Sequence, residues 1–265
     1  MNSNSRVFSM NSYIVDAHIH LSDPDYDSSY LDYMLNYSKF TGTKLFSVST
    51  GLHSSKRTLK LSHSNENIFA FVGIHPMSVL NENYESLETL ARTSTSNFVG
   101  IGEIGLDISY AKDTSEYDLQ LDVFRKQLDL AETLNKPVSI HSRNSLPAVL
   151  EILQQYNLPN VLLHWFSGNE QEINYVMDRG YFVSFGPSTV YSKKSQNISS
   201  HVNRDLLLIE TDGPVRYSAC FQRNITLPSL LPSVIFVLSN IHQIDFDEMC
   251  NIISENSFKY IGHKL

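Results

Sequence analysis

Apolar residues along the chain fall into two alternating patterns. Eight short runs read as strands: Ser12–Asp16, Lys44–Ser49, Ile68–Gly73, Phe98–Glu103, Pro137–His141, Asn160–His164, Tyr181–Phe185 and Leu206–Glu210. Between them the apolar positions shift to helical spacing. Glu116–Leu134 is the clearest case, with Leu119, Val123, Leu128, Leu130 and Leu134 on one stripe and Asn135-Lys136-Pro137 ending it. Ser29–Phe40, Ser54–Ser62, Tyr84–Thr93, Leu146–Tyr156 and Glu170–Asp178 read as further helices. The connection from Phe185 through Pro187-Ser188-Thr189 to Asn203 reads as loop-rich, and Pro228–Ile241 and Phe246–Tyr260 as helices after the last strand.

Strand and helix alternating eight times predict a parallel sheet. The count, in a chain of 265 residues, fits an α/β fold of the (β/α)8 TIM-barrel type, for which ~250 residues is typical. A doubly wound open sheet is the competing arrangement. It would carry a Gly-rich phosphate fingerprint after its first strand, and none is present there. Residues 1–11 are polar and patternless and read as a flexible leader, with Met10 a second candidate start. Residues 12–265 read as a single TIM-barrel domain, since no Pro/Gly/Ser linker or charge block divides them.

Composition narrows the class. At 42% hydrophobic and 18% charged the chain has ample material for a core. No apolar run approaches the ~20 residues that span a bilayer, so no membrane partner is expected. Cys220 and Cys250 follow neither a metal-binding nor a disulfide spacing. Together these predict a cytoplasmic protein. The net charge of -8 argues against a broad basic footprint along nucleic acid. It leaves room for an enzyme that gathers phosphate through cations at a deep site.

The chemistry starts at Asp16-Ala-His18-Ile-His20, where two imidazoles at alternate positions of an extended chain project the same way. Alone, such a pair is as readily a surface or hydrogen-bonded feature. Its company decides the matter: His75 follows the third strand, Glu103 ends the fourth, His141 the fifth and His164 the sixth, and Asp212 lies just past the eighth. In a barrel all of these would meet at the C-terminal mouth, where active sites form. Four histidines (18, 20, 141 and 164) and two carboxylates (Glu103 and Asp212) suit Zn or Mn, or Mg with more water and carboxylate. Six ligands exceed what one catalytic ion needs and suit two divalent ions, with Glu103 the natural bridge.

The ordered motifs resemble the TatD-type metal-dependent deoxyribonucleases of the amidohydrolase-like barrels. They are Asp16-Ala-His-Ile-His-Leu21, Gly73-Ile-His-Pro76, Gly102-Glu-Ile-Gly-Leu-Asp107, His141-Ser-Arg143, His164-Trp-Phe-Ser-Gly168 and Glu210-Thr-Asp-Gly-Pro214. The resemblance implies that His18, His20 and Asp212 hold one ion and His141 and His164 the other, with Glu103 between them. It places His75 beside the scissile phosphate and Arg143 on a phosphate oxygen. The implied reaction is two-metal 3′–5′ exonucleolytic hydrolysis of DNA strand ends, with RNA as an alternative substrate and Asp212 taking the proton of the attacking water. Two departures stand out. Met77 occupies a position where members often carry a second histidine, and Val215-Arg-Tyr-Ser-Ala-Cys-Phe221 replaces an aromatic-Leu-x-Pro segment and a basic loop, with Arg216 and Arg223 as partial substitutes.

Other readings keep part of this picture. A cyclic amide or ester hydrolase would share the fold, although many of those carry a bridging lysine where this chain has Glu103. A subunit working inside a larger assembly, for example in anti-phage defence, is a third reading, and protein partners stay open. Trp165 and Phe166 read as pocket wall or base-stacking surface, and Asp107 as support for a loop or ligand. His53, His63, His201, His242 and His263 lack ligand partners, with His53 nearest the expected mouth.

Overall fold

The computed structural model describes residues 12–262; the expected leader and His263 lie outside the described residues. In chain order the elements are β1 (Val15–Ile19), α1 (Ser28–Thr41), β2 (Lys44–Ser47), α2 (Leu52–Ser64), β3 (Ile68–Val72), α3 (Tyr84–Thr93), β4 (Gly100–Gly105) and α4 (Thr114–Thr133). There follow β5 (Val138–His141), α5 (Leu146–Leu153), β6 (Val161–Leu163), α6 (Glu170–Asp178), β7 (Phe182–Phe185), α7 (Lys193–Ser200), β8 (Leu207–Ile209), α8 (Leu231–His242) and α9 (Phe246–Ile261). The strands pair in parallel in the order β1 to β8. The Asp212 N–H donates to His18 O at 2.9 Å and the His20 N–H to Gly213 O at 2.8 Å, so the segment after β8 returns to β1. The result is a nearly closed α/β barrel of the TIM type, as the alternating pattern predicts.

The interior follows the period-two rule of strands. Val15, Ala17, Phe46, Phe71, Leu162, Phe182 and Leu208 form one buried cluster, closed by Phe258, Tyr260 and Ile261 of α9. The Tyr260 ring stacks on Phe71 with centroids 5.9 Å apart. Two residues beyond the apolar positions, polar groups take over: His164 after Leu162, Ser184 after Phe182 and Glu210 after Leu208, all buried. Hydrophobic residues therefore plug one end of the barrel and leave chemistry at the other.

Helix starts are set locally. The Asp27 side chain caps α1, Asp113 caps α4, and Asn169 with Glu172 forms a capping box on α6. Several expected boundaries shift, β4 among them, which runs on to Gly105 so that Glu103 lies inside the strand rather than at its end. β1 begins at Val15 rather than Ser12, because the Tyr13 N–H is taken by Ser254 Oγ of α9 at 3.1 Å and the ladder opens at Val15 opposite Lys44. The strand runs on past Asp16 to Ile19, so His18 lies within it. The segment expected to be loop-rich after Phe185 contains a 3-10 turn at Pro187–Val190 and the helix α7. Ser192 caps α7, while its polar sequence Lys-Lys-Ser-Gln-Asn gives no apolar stripe to read. The helix expected from Pro228 divides into a 3-10 turn at Pro228–Leu230 and α8. Among the described residues no helix is long and apolar enough to cross a membrane.

Candidate metal centre

Glu103 lies at the middle of the site. It is 2% exposed, in β4, and its two carboxylate oxygens face different partners. Oε2 is 3.4 Å from His18 Nε2 and 3.2 Å from His20 Nε2. Oε1 is 2.8 Å from His141 Nδ1, 2.9 Å from His164 Nε2 and 3.3 Å from His75 Nε2. Asp212 Oδ1 completes the first group at 3.6 Å from His18 Nε2 and 3.4 Å from His20 Nε2. All seven mouth residues singled out in the sequence therefore converge. Gly105, one step beyond the Glu103-Ile104 pair, has φ 142°, and a Cβ there would collide with the His141 carbonyl oxygen. Asp212 also adopts a left-handed backbone, φ 49°, a conformation costing a non-glycine residue about 1–2 kcal/mol. Its N–H bond to His18 O holds that turn and aims the carboxylate inward.

Hydrogen bonds orient the rings. His18 Nδ1 is 2.9 Å from Ser139 Oγ, which turns Nε2 toward Glu103. His141 Nε2 is 2.8 Å from Asp107 Oδ2, which turns Nδ1 toward Glu103. His164 Nδ1 is buried without a hydrogen bond and points at Glu210 Oε1, 3.7 Å away. Such outer carboxylates fix the tautomer of metal-binding imidazoles. Glu210 is itself held by the Ser184 hydroxyl at 2.5 Å and the Trp165 N–H at 2.9 Å. His75 differs. Its Nδ1 accepts the Met77 N–H at 3.1 Å, so its proton sits on Nε2, facing Glu103. It presents a donor where the others present lone pairs, although its position beside Glu103 and His141 is close enough for a ligand.

Electrostatics follow the packing. Burial, with help from His164, lowers His18 to about 3 and keeps its ring a free base. Burial acts the same way on His75. For His20 burial is outweighed by Asp212 and Glu103, which raise it to about 10. Burial is likewise outweighed at His141 by Asp107 and Glu103, and at His164 by Glu103 and Glu210, so both rings are raised. Glu103 is held well below the usual carboxylate range, against burial, by His75, His164 and His18.

This donor set fits divalent cations. With bonds near 2.1 Å, neighbouring ligand atoms sit ~3.0–3.4 Å apart, and the separations here run from 2.8 to 3.6 Å. Imidazole nitrogens and carboxylates gathered this closely in a buried site are the chemistry of such a centre.

Around it, Arg143 is exposed in the turn after β5 and its charge reaches Tyr110. Arg216 lies 3.8 Å from Asp25 rather than facing the mouth. His53 is exposed at the first turn of α2 and lines a cavity of about 200 Å³ with His20, Asp23 and Glu82. His201 bonds locally to Asn197 O at 2.8 Å. Sequence reading missed Ser139 and gave Glu210, quoted only as a strand end and motif residue, no role. Each stands two residues before a mouth residue on the same inward face, which is the signal that could have found them.

A parallel barrel with imidazoles and carboxylates gathered at its C-terminal mouth defines a metal-dependent hydrolase. The sequence model described as TatD related DNase matches residues 15–262, and the chain belongs to that family. It is 28% identical over 249 residues to YabD of Bacillus subtilis, described as an uncharacterized metal-dependent hydrolase, covering 92% of this chain and 97% of that protein. It is 27% identical over 258 residues to human deoxyribonuclease TATDN3, covering 93% of each. The crystal structure of YJJV, the TatD homologue of Escherichia coli, superposes with TM-score 0.86 at 25% identity over 95% of this chain and 98% of that one. Dihydroorotase of Campylobacter jejuni shares the fold alone, with TM-score 0.61 at 12% identity over 96% of this chain and 84% of that one. The protein is thus a hydrolase acting on ester bonds, and these descriptions give the assembly reading no support.

Proposed function

We propose that the protein removes nucleotides from 3′ ends of DNA by hydrolysing phosphodiester bonds with two divalent ions. The observation that carries the reading is the divided Glu103 carboxylate, with His18 and His20 at one oxygen and His141 and His164 at the other. His18, His20 and Asp212 would hold one ion, His141 and His164 the other, and Glu103 both. Such ions lower the pKa of water and offset charge on a phosphate. The chain's own groups do the rest. Asp212 is the carboxylate placed to accept the proton of the attacking water. His75, neutral with Nε2–H aimed into the site, donates to a phosphate oxygen and stabilises charge that builds there. Arg143, at the rim, supplies a planar guanidinium to a neighbouring phosphate. DNA enters as the substrate named for the human relative.

The test incubates metal-stripped protein with 5′-labelled single- and double-stranded DNA and RNA oligonucleotides, restoring Mg, Mn or Zn in turn. A ladder shortening from the 3′ end under at least one metal supports the reading. Cleavage of neither nucleic acid under any metal, with ions bound, overturns it.

A further inference from the structure

We propose that Trp165 is a platform on which a nucleobase next to the scissile phosphate stacks, so that strand ends are gripped by base contact more than by charge. The inference rests on the phosphodiesterase reading above. Trp165 is the chain's one tryptophan. It directly follows His164 and is 39% exposed, at the mouth of the barrel. Its backbone is left-handed, φ 43°, and a bulky residue holds that conformation only where its surroundings impose it. Here they do: the Trp165 N–H donates to Glu210 Oε1 at 2.9 Å, the same carboxylate that faces His164. The main chain that carries the indole is therefore tied to the site's own support.

The ring is also backed. Its centroid is 5.3 Å from that of Tyr217. Tyr217 is buried, and its hydroxyl donates to Thr211 O at 3.0 Å, next to Asp212. Tyr217 lies in the Val215–Phe221 segment that follows Pro214, so the backing is joined directly to the turn that carries Asp212. Beyond His141 in strand order, Tyr110 is 42% exposed, with its ring 5.8 Å from His75 and 6.5 Å from His141. Aromatic surface thus borders the histidine cluster on both the β4 and the β6 side.

Charge points the same way. The chain carries a net charge of -8, Arg216 is paired with Asp25, and Arg143 and Arg223 are the two arginines offered by the sequence for this region that have no carboxylate within 4 Å among the described residues. One phosphate contact to single-stranded nucleic acid gives a log affinity against log salt slope of about -0.7. Base–aromatic stacking changes affinity by about 5- to 140-fold per base, and any base can use it. A mouth with few free cations and an exposed indole backed by Tyr217 suits a base from an unpaired end.

The sole tryptophan makes the test direct. Metal-loaded protein is titrated with a phosphorothioate oligonucleotide that resists cleavage, bearing either normal or abasic residues at its 3′ end, and tryptophan fluorescence is followed. The normal end should quench the signal and bind about 5- to 140-fold more tightly, with a shallow salt dependence. On cleavable DNA, Trp165→Ala should raise KM for normal ends by a similar factor, leave abasic ends within about twofold, and be rescued in part by Trp165→Phe. Equal quenching and affinity for both ends, or an equal effect of Trp165→Ala on both, overturns the stacking role while cleavage by the wild type leaves the nuclease reading intact. Base-dependent quenching without cleavage under any metal supports stacking and removes the nuclease reading instead.

Discussion

Replacing Asp107 by Asn tests the claim that outer groups set the ring nitrogens of the metal site. The Asp107 carboxylate divides its work: Oδ2 accepts from His141 Nε2 at 2.8 Å, and Oδ1 accepts the Ser109 N–H at 2.9 Å together with the Ser109 hydroxyl. Burial alone would raise this carboxyl, but His141 and Ser109 hold it below the usual carboxylate range, so both oxygens stay acceptors. An amide of the same shape has one oxygen. If the oxygen stays with Ser109, the NH₂ group faces the His141 N–H, donor against donor. The His141 proton then moves to Nδ1, where Glu103 Oε1 at 2.8 Å accepts it, and the lone pair needed by a cation is lost. Losing such an outer partner weakens metal binding 10–100-fold, about 1.4–2.7 kcal/mol. Competition with a chromogenic chelator measures the affinity, and nitrogen NMR of the imidazoles reads the tautomer. Ser109→Ala, which leaves the His141 contact in place, should change affinity less than about threefold. An Asp107→Asn protein that binds metal within about twofold of wild type, with its His141 tautomer unchanged, would refute the reasoning.

Three further outcomes follow from the same geometry. His75→Ala should lower kcat by about 10²–10³-fold with metal content unchanged, because its lone pair is engaged by Met77; a parallel loss of metal, read by elemental analysis, would make His75 a ligand instead. In the metal-free protein His20 is raised to about 10 and carries a proton at pH 7. Metal uptake at pH 7 should therefore release protons and strengthen as pH rises toward 10, which calorimetry in buffers of different ionisation enthalpy measures; uptake without proton release contradicts the assignment. Tyr260→Ala removes the fully buried ring stacked on Phe71. It should cost about 3–5 kcal/mol in denaturant unfolding, and a loss below about 1 kcal/mol would mean that α9 does not plug the barrel.

Much of the barrel can be read from the chain because a strand buried on both faces is a short apolar run between helices. That periodicity is local and survives without contacts. The mouth residues are legible for a related reason: each ends such a run, and the fold sends every run's end to the same place. The supports of the site are harder to read. Ser139 reaches His18 across 121 positions, and the partner of His164 is Glu210 on a distant strand. Those pairings depend on strand neighbours and stagger, which side-chain periodicity does not encode. The late start of β1 has the same origin, since it is Ser254 of α9 that takes the Tyr13 N–H. The polar helix α7 escapes notice because its capping serine, not an apolar face, announces it. The tautomer that separates His75 from its four neighbours rests on one backbone N–H, from Met77, and is visible only in three dimensions.

The central claim is that one carboxylate, Glu103, joins two ion sites at the barrel mouth. Its most direct measurement is the metal-to-protein ratio after equilibrium dialysis against Mn or Zn, for the wild type and for Glu103→Gln at matched fold stability. The account predicts about two ions per chain in the wild type and one or fewer in the variant. A single ion in the wild type, or two retained in Glu103→Gln, would contradict it.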